Sequence, residues 1–198
     1  MSGFGERFRH AGYSIPKPLI EIDGKPIIAY VIDMFSGEQD FIFVCNQEHL
    51  AESDYHMAEI IKKYCPTGRI VGISPHKLGP IHAVRQVEHL LDLTQPVVVN
   101  YCDFTCYWDW LHFKRFVKET ACDGAIPAYK GFHPHTLGST NYAYMRETNG
   151  WVDDIQEKQP YTNNRMAEFA SSGTYYFATA QIMSEAFHST IDQNLNVG

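Results

Sequence analysis

The sequence lacks an excess of positive charge. It contains 16 lysines and arginines against 23 aspartates and glutamates, which gives a formal net charge of -7 at pH 7. Proteins that bind duplex nucleic acid non-specifically need many cations to neutralise phosphates. Nucleic acid is therefore disfavoured as the main partner. The net negative charge does not exclude small phosphorylated ligands, because a few well-placed cations and backbone N–H groups are enough to bind them.

The sequence also lacks cysteine pairs with metal or redox spacing, long apolar runs and an apolar leader. Its cysteine count is odd, and no two cysteines form a C-x-x-C pair: Cys45, Cys65, Cys102, Cys106 and Cys122. No run approaches the roughly 18 apolar residues of a membrane span, and the first residues contain no signal-peptide core. We therefore expect a soluble, cytoplasmic protein with reduced thiols and no membrane partner.

Several common catalytic motifs are missing as well. The chain contains no P-loop, no dinucleotide-binding glycine fingerprint and no G-x-S-x-G nucleophile turn. Its ten histidines suggest a metal enzyme at first. However, His82 and His89 are too far apart in sequence for a metalloprotease helix, so zinc is disfavoured.

Apolar runs and amphipathic stretches alternate through the first 120 of the 198 residues. Short apolar runs at 41–45, 69–73 and 96–103 are typical of strands buried on both faces, and helical patterns occupy 26–35, 50–64, 79–91 and 108–120. This alternation predicts an α/β fold with a largely parallel sheet.

After about residue 123 the pattern changes to shorter strand-like segments, followed by a helical pattern at 179–187. We expect residues 123–178 to form an acceptor-site extension within a single domain that covers residues 1–198. The chain opens on a glycine-rich loop without a strand before it and ends without a terminating element. From these two features we expect that the polypeptide is trimmed at both ends.

The opening loop carries the most informative pattern. Gly3 and Gly5 allow close approach of a phosphate or a base and leave N–H groups free to donate. Arg7 and Lys17 add a planar fork and a point charge, the pair of cations that suits a triphosphate. The run Pro16-Lys17-Pro18-Leu19 follows, and then Asp23-Gly24-Lys25-Pro26.

Together these segments resemble the nucleotidylyltransferase family, which includes the sugar-phosphate nucleotidylyltransferases and their cytidylyltransferase relatives. The family pattern is approximately G-x-G-x-R, a gap, P-K-P-L and G-K-P. The resemblance implies a Rossmann-like three-layer α/β/α fold with a mainly parallel mixed sheet, of the nucleotide-diphospho-sugar transferase type. It also implies transfer of a nucleotidyl group from CTP, UTP or dTTP to a phosphorylated acceptor, with release of pyrophosphate. The preferred acceptor is a sugar 1-phosphate.

The same resemblance implies the nucleotide-binding residues. They are Ser2, Gly3, Gly5, Arg7, Lys17, Gly79 and Pro80. Arg7 and Lys17 would neutralise the triphosphate. Gly79 and Pro80 begin a predicted helix at the family's base-contacting loop, where proline suits a first helical turn. The family more often has Thr or Ser in place of Pro80, so the base is left open.

A metal site is expected at Asp103, the carboxylate that ends the apolar run 96–103. A carboxylate there lies over the ligand crevice of an α/β sheet. In the resembling family this position binds the divalent cation that bridges the phosphates, and Mg²⁺ suits such a site.

The acceptor residues are carried over in the same way. Gly138 lies where the family has a glycine that faces the acceptor. Glu157 and Lys158 match its Glu-Lys pair, whose lysine reaches the acceptor phosphate, and Ser172 and Gly173 match its small-Gly-x-Tyr-x-Phe strand. The resemblance assigns catalytic roles to Arg7, Lys17 and Lys158.

Three alternatives stay open. The chain fits a cytidylyltransferase for a non-sugar phosphorylated acceptor, or a regulatory domain that binds a nucleoside triphosphate without chemistry. A glycosyltransferase is less well supported, because Asp103-Phe104-Thr105 contains no D-x-D motif. A homo-oligomer is compatible with the sequence.

Overall fold

A computed structural model describes residues 1–3, 5–133, 137–138, 140 and 142–195, and for Glu6 and Arg7 it describes the backbone alone. Its α-helices are α1 (Glu6–His10), α2 (Ile27–Asp33), α3 (Gln47–Ala51), α4 (Met57–Tyr64), α5 (Gly79–Arg85), α6 (Trp110–Thr120) and α7 (Ala180–Asp192). The two longest helices are capped by side chains. Asp109 accepts the N–H of His112 at 2.8 Å and Thr179 accepts that of Ile182 at 3.1 Å, which satisfies donors that the first helical turn leaves unpaired.

The strands are short. They are β1 (Glu21–Ile22), β2 (Lys25–Pro26), β3 (Ile42–Asn46), β4 (Arg69–Ile73), β5 (Val97–Asn100), β6 (Gly124–Ala125), β7 (Ala128–Tyr129), β8 (Ala143–Thr148), β9 (Trp151–Glu157), β10 (Phe169–Ser171) and β11 (Thr174–Phe177).

Among the described residues, the strands pair in four small sheets. Strands β3 and β4 are parallel, with Ile42 opposite Arg69 and Asn46 opposite Ile73. The other sheets are antiparallel, in the orders β1-β2, β5-β11-β6 and β7-β10-β8-β9. The expected mainly parallel sheet is therefore not shown by the described pairings, although the α/β alternation itself is present.

Helices cover both faces of β3. Phe43 and Cys45 pack with α2, α4 and α6, in a cluster that includes Ile28, Ile61 and Trp110. Ile42 and Val44 pack instead against α5 in a second cluster. Because successive side chains of a strand point to opposite faces, these two helical layers lie on opposite sides of the sheet.

Two predicted helices end earlier or are interrupted. The pattern at 50–64 is split, because Glu52 is extended and His56 is left-handed with φ of 46°, so α3 ends at Ala51 and α4 starts at Met57. The pattern at 79–91 gives α5 to Arg85 and then a separate 3₁₀ turn, Glu88–Leu90. An apolar stripe continues across such breaks, so periodicity alone does not reveal them.

Within the described part of the chain, no helix has both the length and the apolar composition needed to cross a membrane.

Candidate functional site

A cavity of about 1630 Å³ runs from the core strands to the loops that follow them. Two groups of predicted site residues line it. We call the first the glycine-loop wall: Ser2, Gly3, Gly5, Lys17, Gly79, Pro80 and Asp103. We call the second the antiparallel wall: Glu157, Lys158, Ser172 and Gly173. Residues far apart in sequence thus face one space.

The glycine loop leaves room for a ligand. A Cβ atom built on Gly3 or Gly5 would find no atom within 4 Å, and Gly5 has a positive φ of 63°. The carbonyl of Gly5 accepts the N–H groups of Phe8 at 2.9 Å and Arg9 at 3.1 Å, which starts α1. The loop is thus anchored on its helix side and open on its cavity side.

Lys17 and Asp103 form an ion pair inside the cavity. Lys17 opens a 3₁₀ turn whose next residues, Pro18 and Leu19, are buried, so the turn fixes the lysine stem. Its ammonium lies 4.5 Å from the centre of the Phe8 ring. The side chains of Lys17 and Asp103 remain 30% and 29% exposed, so both charges can still reach a ligand.

Gly79 has a φ of 88°, a conformation that residues with side chains rarely adopt, and it is the first residue of α5. Pro80 follows in the first turn, as expected for proline. Near this turn, His76 and His82 pack with ring centres 4.6 Å apart.

Lys158 begins the antiparallel wall immediately after β9. Its backbone is left-handed, with φ of 59°, which is uncommon for a residue with a long side chain. Two hydrogen bonds fix it: its N–H donates to Tyr142 O at 2.9 Å, and Thr140 Oγ1 donates to its carbonyl at 2.7 Å. Its Nζ lies 3.9 Å from Glu157 Oε1. Backbone strain held by neighbours is common at functional sites.

The turn between β10 and β11 places Ser172 and Gly173. Gly173 has a φ of 74°, and a Cβ atom there would lie 2.5 Å from Tyr101 Cδ2, so only glycine fits. Ser172 is 4% exposed, and its hydroxyl has no hydrogen-bond partner among the described residues. A buried unpaired hydroxyl that lines a cavity is a feature of ligand sites.

Two predicted site residues are not brought to this cavity by the described structure. Gly138 is exposed and does not line it, and its carbonyl accepts a hydrogen bond from the Arg165 guanidinium at 2.8 Å. The side chain of Arg7 lies outside the described part of the chain.

Sequence reasoning missed Tyr101, which joins the two walls. Its N–H donates to Gly173 O at 3.0 Å, which continues the β5–β11 ladder toward the cavity. Desolvation raises the pKa of its hydroxyl, and Tyr175, Glu157 and Asp103 raise it further, so the phenol stays protonated. A signal was available, since residue 101 lies two positions before Asp103 in the apolar run 96–103, and a strand over that run would place both on one face.

An aromatic cluster beside Asp103 was also missed. Phe104 stacks on Tyr129 at 6.1 Å between ring centres, and Tyr142 meets Phe104 edge-on at 6.5 Å. Phe104 and Tyr142 line the cavity. These rings come from distant segments, so their meeting has no local sequence signal.

The donor set for a metal is small. Among the described residues, no three His, Cys, Asp or Glu side chains form a group that could hold an ion by themselves. Mg²⁺ often takes only one or two carboxylates and completes its shell with phosphate oxygens and water. Asp103 therefore fits as one anchor of a magnesium ion that arrives with a phosphorylated ligand.

A family model described as Nucleotidyl transferase matches residues 1–193. This chain belongs to that family. Mannose-1-phosphate guanylyltransferase catalytic subunit beta of Xenopus tropicalis is 24% identical over 190 residues, which covers 91% of this chain and 49% of that protein. Glucose-1-phosphate cytidylyltransferase of Salmonella typhimurium is 33% identical over 72 residues, covering 29% of this chain and 28% of that protein. The chain spans about half the length of the first of these relatives.

Solved structures of the same kind share the fold. A UDP-glucose pyrophosphorylase complexed with UDP-glucose matches with a TM-score of 0.69 at 18% identity, covering 96% of this chain and 76% of that one. A putative glucose-1-phosphate thymidylyltransferase from Bacillus anthracis matches with a TM-score of 0.71 at 16% identity, covering 98% and 73%. The α/β fold of this chain thus matches that of sugar nucleotidyltransferase structures.

Proposed function

We propose that this protein transfers a nucleotidyl group from a nucleoside triphosphate to a phosphorylated acceptor and releases pyrophosphate. The observation that carries the proposal is the arrangement of charge in one cavity. An open glycine loop and the Lys17–Asp103 pair lie on one wall, and Lys158 lies on the other. That set suits two phosphorylated ligands that meet between the walls.

The glycine-loop wall is the proposed nucleotide side. Ser2, Gly3 and Gly5 would present backbone N–H groups to the triphosphate, and Gly79 and Pro80 would contact the base. Lys17 would be catalytic through its charge on the phosphates, together with Arg7. When a triphosphate enters, Lys17 can exchange its partner Asp103 for phosphate oxygens, which frees the carboxylate.

The antiparallel wall is the proposed acceptor side. Lys158 would hold the acceptor phosphate, Glu157 would orient Lys158, and Ser172 and Gly173 would contact the rest of the acceptor. The hydroxyl of Ser172 supports this role, because it is buried without a hydrogen-bond partner in the part of the chain that the structure describes. Gly138 stays a prediction, because the described cavity does not include it.

The proposed reaction is an in-line displacement. An acceptor phosphate oxygen forms a bond to the α-phosphorus, and the bond from that phosphorus to the bridging oxygen of pyrophosphate breaks. No covalent enzyme intermediate is needed, so the chain contributes positioning and charge stabilisation. Mg²⁺, anchored by Asp103, would neutralise phosphate charge when bound.

A sugar 1-phosphate is the proposed acceptor. The relatives named above act by name on mannose 1-phosphate or glucose 1-phosphate. The names of these relatives differ in the base, guanylyl in one and cytidylyl in the other. From the sequence resemblance we propose a pyrimidine donor, which is CTP, UTP or dTTP. Because one relative is a guanylyltransferase, the test also includes GTP.

The finer architecture belongs to the same proposal. Residues 1–198 would act as one domain, with 123–178 as its acceptor-side extension, in three α/β/α layers around a mainly parallel mixed sheet. Cysteines at 45, 65, 102, 106 and 122 that form no disulfide suit a reducing cytoplasm.

A thermal-shift panel tests the proposal. CTP, UTP, dTTP, ATP and GTP are added with and without Mg²⁺, and pyrophosphate release is then measured with glucose 1-phosphate and mannose 1-phosphate. A ligand at 100 times its Kd adds about 2.7 kcal/mol of stability, a clear rise in Tm. We expect a Mg²⁺-dependent rise in Tm with one triphosphate, and pyrophosphate release with one of the two sugar phosphates. Binding without release with any acceptor would point to a regulatory domain, and no rise with any of the five would contradict the proposal.

A further inference from the structure

The segment that carries Asp103 belongs to no helix or strand. It comprises residues 101–109, between the end of β5 at Asn100 and the start of α6 at Trp110, and we call it the Asp103 segment. The course of such a segment is fixed by no ladder and no helical turn. Side-chain contacts therefore decide where the Asp103 carboxylate lies.

Two side chains of the Asp103 segment bind the C-terminal end of α2. The Trp108 indole Nε1–H donates to Met34 O at 2.7 Å, and Thr105 Oγ1 donates to Tyr30 O at 3.3 Å. Carbonyls at the C-terminal end of a helix lack partners within the helix, and an indole N–H can only donate. The Trp108 bond is shorter and partly buried, whereas the Thr105 bond is exposed, so the tryptophan makes the stronger contact.

The Trp108 ring lies between α2 and α6. Its centre is 5.8 Å from that of Phe35, which follows α2 and meets it edge-on at 89°. It is 4.9 Å from the centre of Phe113, which belongs to α6. Apolar packing keeps the ring in the core but has no direction. The hydrogen bond to Met34 O is directional, so it fixes how the segment is aligned along α2.

Helix α2 also fixes the other partner of the ion pair. Lys17 opens the 3₁₀ turn that ends at Leu19, and Leu19 is buried in the cluster that α2 forms with β3. The N–H of Ile27, the first residue of α2, donates to Ile20 O at 3.0 Å. Lys17 is thus held by the start of α2 and Asp103 by its end, so one helix sets the relative position of the two charges.

We propose that Trp108 is a positioning residue for Asp103. By donating to Met34 O, the indole N–H sets where Asp103 lies relative to Lys17, and therefore how readily the carboxylate anchors the cation that accompanies the triphosphate. In the described structure Trp108 does not line the cavity, so it acts through Asp103 and touches no substrate. The role toward the cation rests on the proposed function, whereas the contact with α2 does not.

Two tryptophan variants and one threonine variant form the test. Trp108→Phe keeps an aromatic ring in the core and removes the N–H that reaches Met34. Trp110→Phe is the matched control, because it removes an indole N–H from the same cluster, one that donates to Glu38 Oε1 at 2.9 Å instead of to α2. Both should lower Tm by about 2–4 °C. Thr105→Val removes the other contact from an exposed side chain, so it tests the proposal even if Trp108→Phe folds poorly.

The chain contains its own probes of the Asp103 segment. Cys102 and Cys106 lie on either side of Asp103 and are partly buried against the core cluster. In the protein without metal or substrate, we expect iodoacetamide to modify these two thiols about tenfold faster in Trp108→Phe than in the control. The buried cysteines of the same cluster serve as references and should stay slow in both proteins: Cys45 and Cys65.

The magnesium dependence of pyrophosphate release gives the second readout. In Trp108→Phe we expect the Mg²⁺ concentration for half-maximal rate to rise about fivefold, the usual effect of one hydrogen bond, while kcat at saturating Mg²⁺ stays within about twofold. A general loss of stability would not separate these two quantities, so Trp110→Phe should keep the natural Mg²⁺ dependence. Thr105→Val should change both readouts in the same direction by a smaller factor.

Equal labelling of the two thiols in Trp108→Phe and Trp110→Phe would overturn the proposal. So would faster labelling with an unchanged Mg²⁺ dependence, because the indole would then hold the segment without positioning the carboxylate. If the natural chain releases no pyrophosphate with any substrate pair, the proposed function fails and the cation role fails with it. The labelling comparison then still decides whether Trp108 fixes the Asp103 segment.

Discussion

The two walls of the cavity are built in different ways. The glycine-loop wall consists of the loop before α1, a 3₁₀ turn, the start of α5 and a carboxylate after β5. Its charges neutralise each other, because Lys17 is paired with Asp103. The antiparallel wall consists of strand ends and a tight turn, and its key residues are held by backbone geometry: Lys158 at φ of 59° and Gly173 at φ of 74°.

Under the proposed function, this difference corresponds to two ways to prepare a site for anionic ligands. A side-chain ion pair keeps a lysine and a carboxylate in place but must open when a phosphate arrives, so its residues should matter mainly for turnover. A backbone conformation does not open on binding. Its residues should matter for stability, for acceptor affinity or for both. Four predictions test that separation.

The largest effect is expected at Lys17. Replacing Lys17 with Ala removes a charge that faces the phosphates and leaves Asp103 unpaired, so turnover should fall at least ~10²-fold. The measurement is pyrophosphate release at saturating substrate, together with Tm. Lys63→Ala is the control, because Lys63 lies on α4 over the Tyr64 ring, outside the cavity. A Lys17→Ala protein with near wild-type turnover would contradict the assignment of the glycine-loop wall.

The next effect is expected in stability, at Gly173. Gly173→Ala combines a positive φ with a contact of 2.5 Å to Tyr101 Cδ2, so the free energy of unfolding should fall by about 2–3 kcal/mol. Gly150→Ala has a similar φ of 83° but open space around the new methyl group, and it should lose only about 1 kcal/mol. Urea denaturation measures both. Equal losses would mean that the Tyr101 contact does not shape the antiparallel wall.

A smaller effect is expected at Lys158, on acceptor binding. Asparagine tolerates the left-handed conformation, so Lys158→Asn removes the charge without disturbing the turn. We expect the acceptor KM to rise about tenfold while Tm and the nucleotide KM stay nearly constant. Lys158→Arg keeps the charge and should recover most of the affinity. If Lys158→Asn raised the nucleotide KM and left the acceptor KM unchanged, the antiparallel wall would be the nucleotide side, which contradicts the proposed assignment.

The smallest effect concerns the pH dependence of the loop between β9 and β10. Glu168 accepts the N–H groups of Tyr161 and Thr162, each at 2.7 Å, and the Thr162 hydroxyl at 2.6 Å. Desolvation would raise the pKa of Glu168, but these hydrogen bonds together hold it below its usual 4.5. The loop therefore gains stability above pH 4.5 and loses it as pH falls through the lower folded value.

Hydrogen exchange of the Tyr161 and Thr162 amides measures that loss. Their protection should fall below pH 4.5 in the natural chain and should be low and independent of pH in Glu168→Gln. The protection of backbone amides in the glycine-loop wall serves as the internal reference, because Glu168 makes no hydrogen bond to that wall among the described residues. Identical profiles for the two proteins would contradict this account.

Most helices and core strands could be predicted from the sequence, because apolar periodicity is a local property. Strand β4 begins and ends as predicted at residues 69–73, and α2 and α6 lie inside their predicted ranges. The break between α3 and α4 could not be predicted, since it depends on the left-handed backbone of His56 within a continuous apolar stripe. The pairing of strands within the sheets could not be predicted either, because the residue pattern of a strand does not indicate which other strand it will pair with.

By itself, the sequence determined the residue types of the candidate site: the glycine loop, Lys17, Asp103 after an apolar run and the Glu157-Lys158 pair. These follow from short motifs in which neighbouring residues act together. Only the tertiary structure decided that Lys17 pairs with Asp103 and that Gly173 fits against Tyr101. Each of these is a contact between segments that are distant in the chain, and packing and hydrogen bonding select such contacts among many that the local pattern allows.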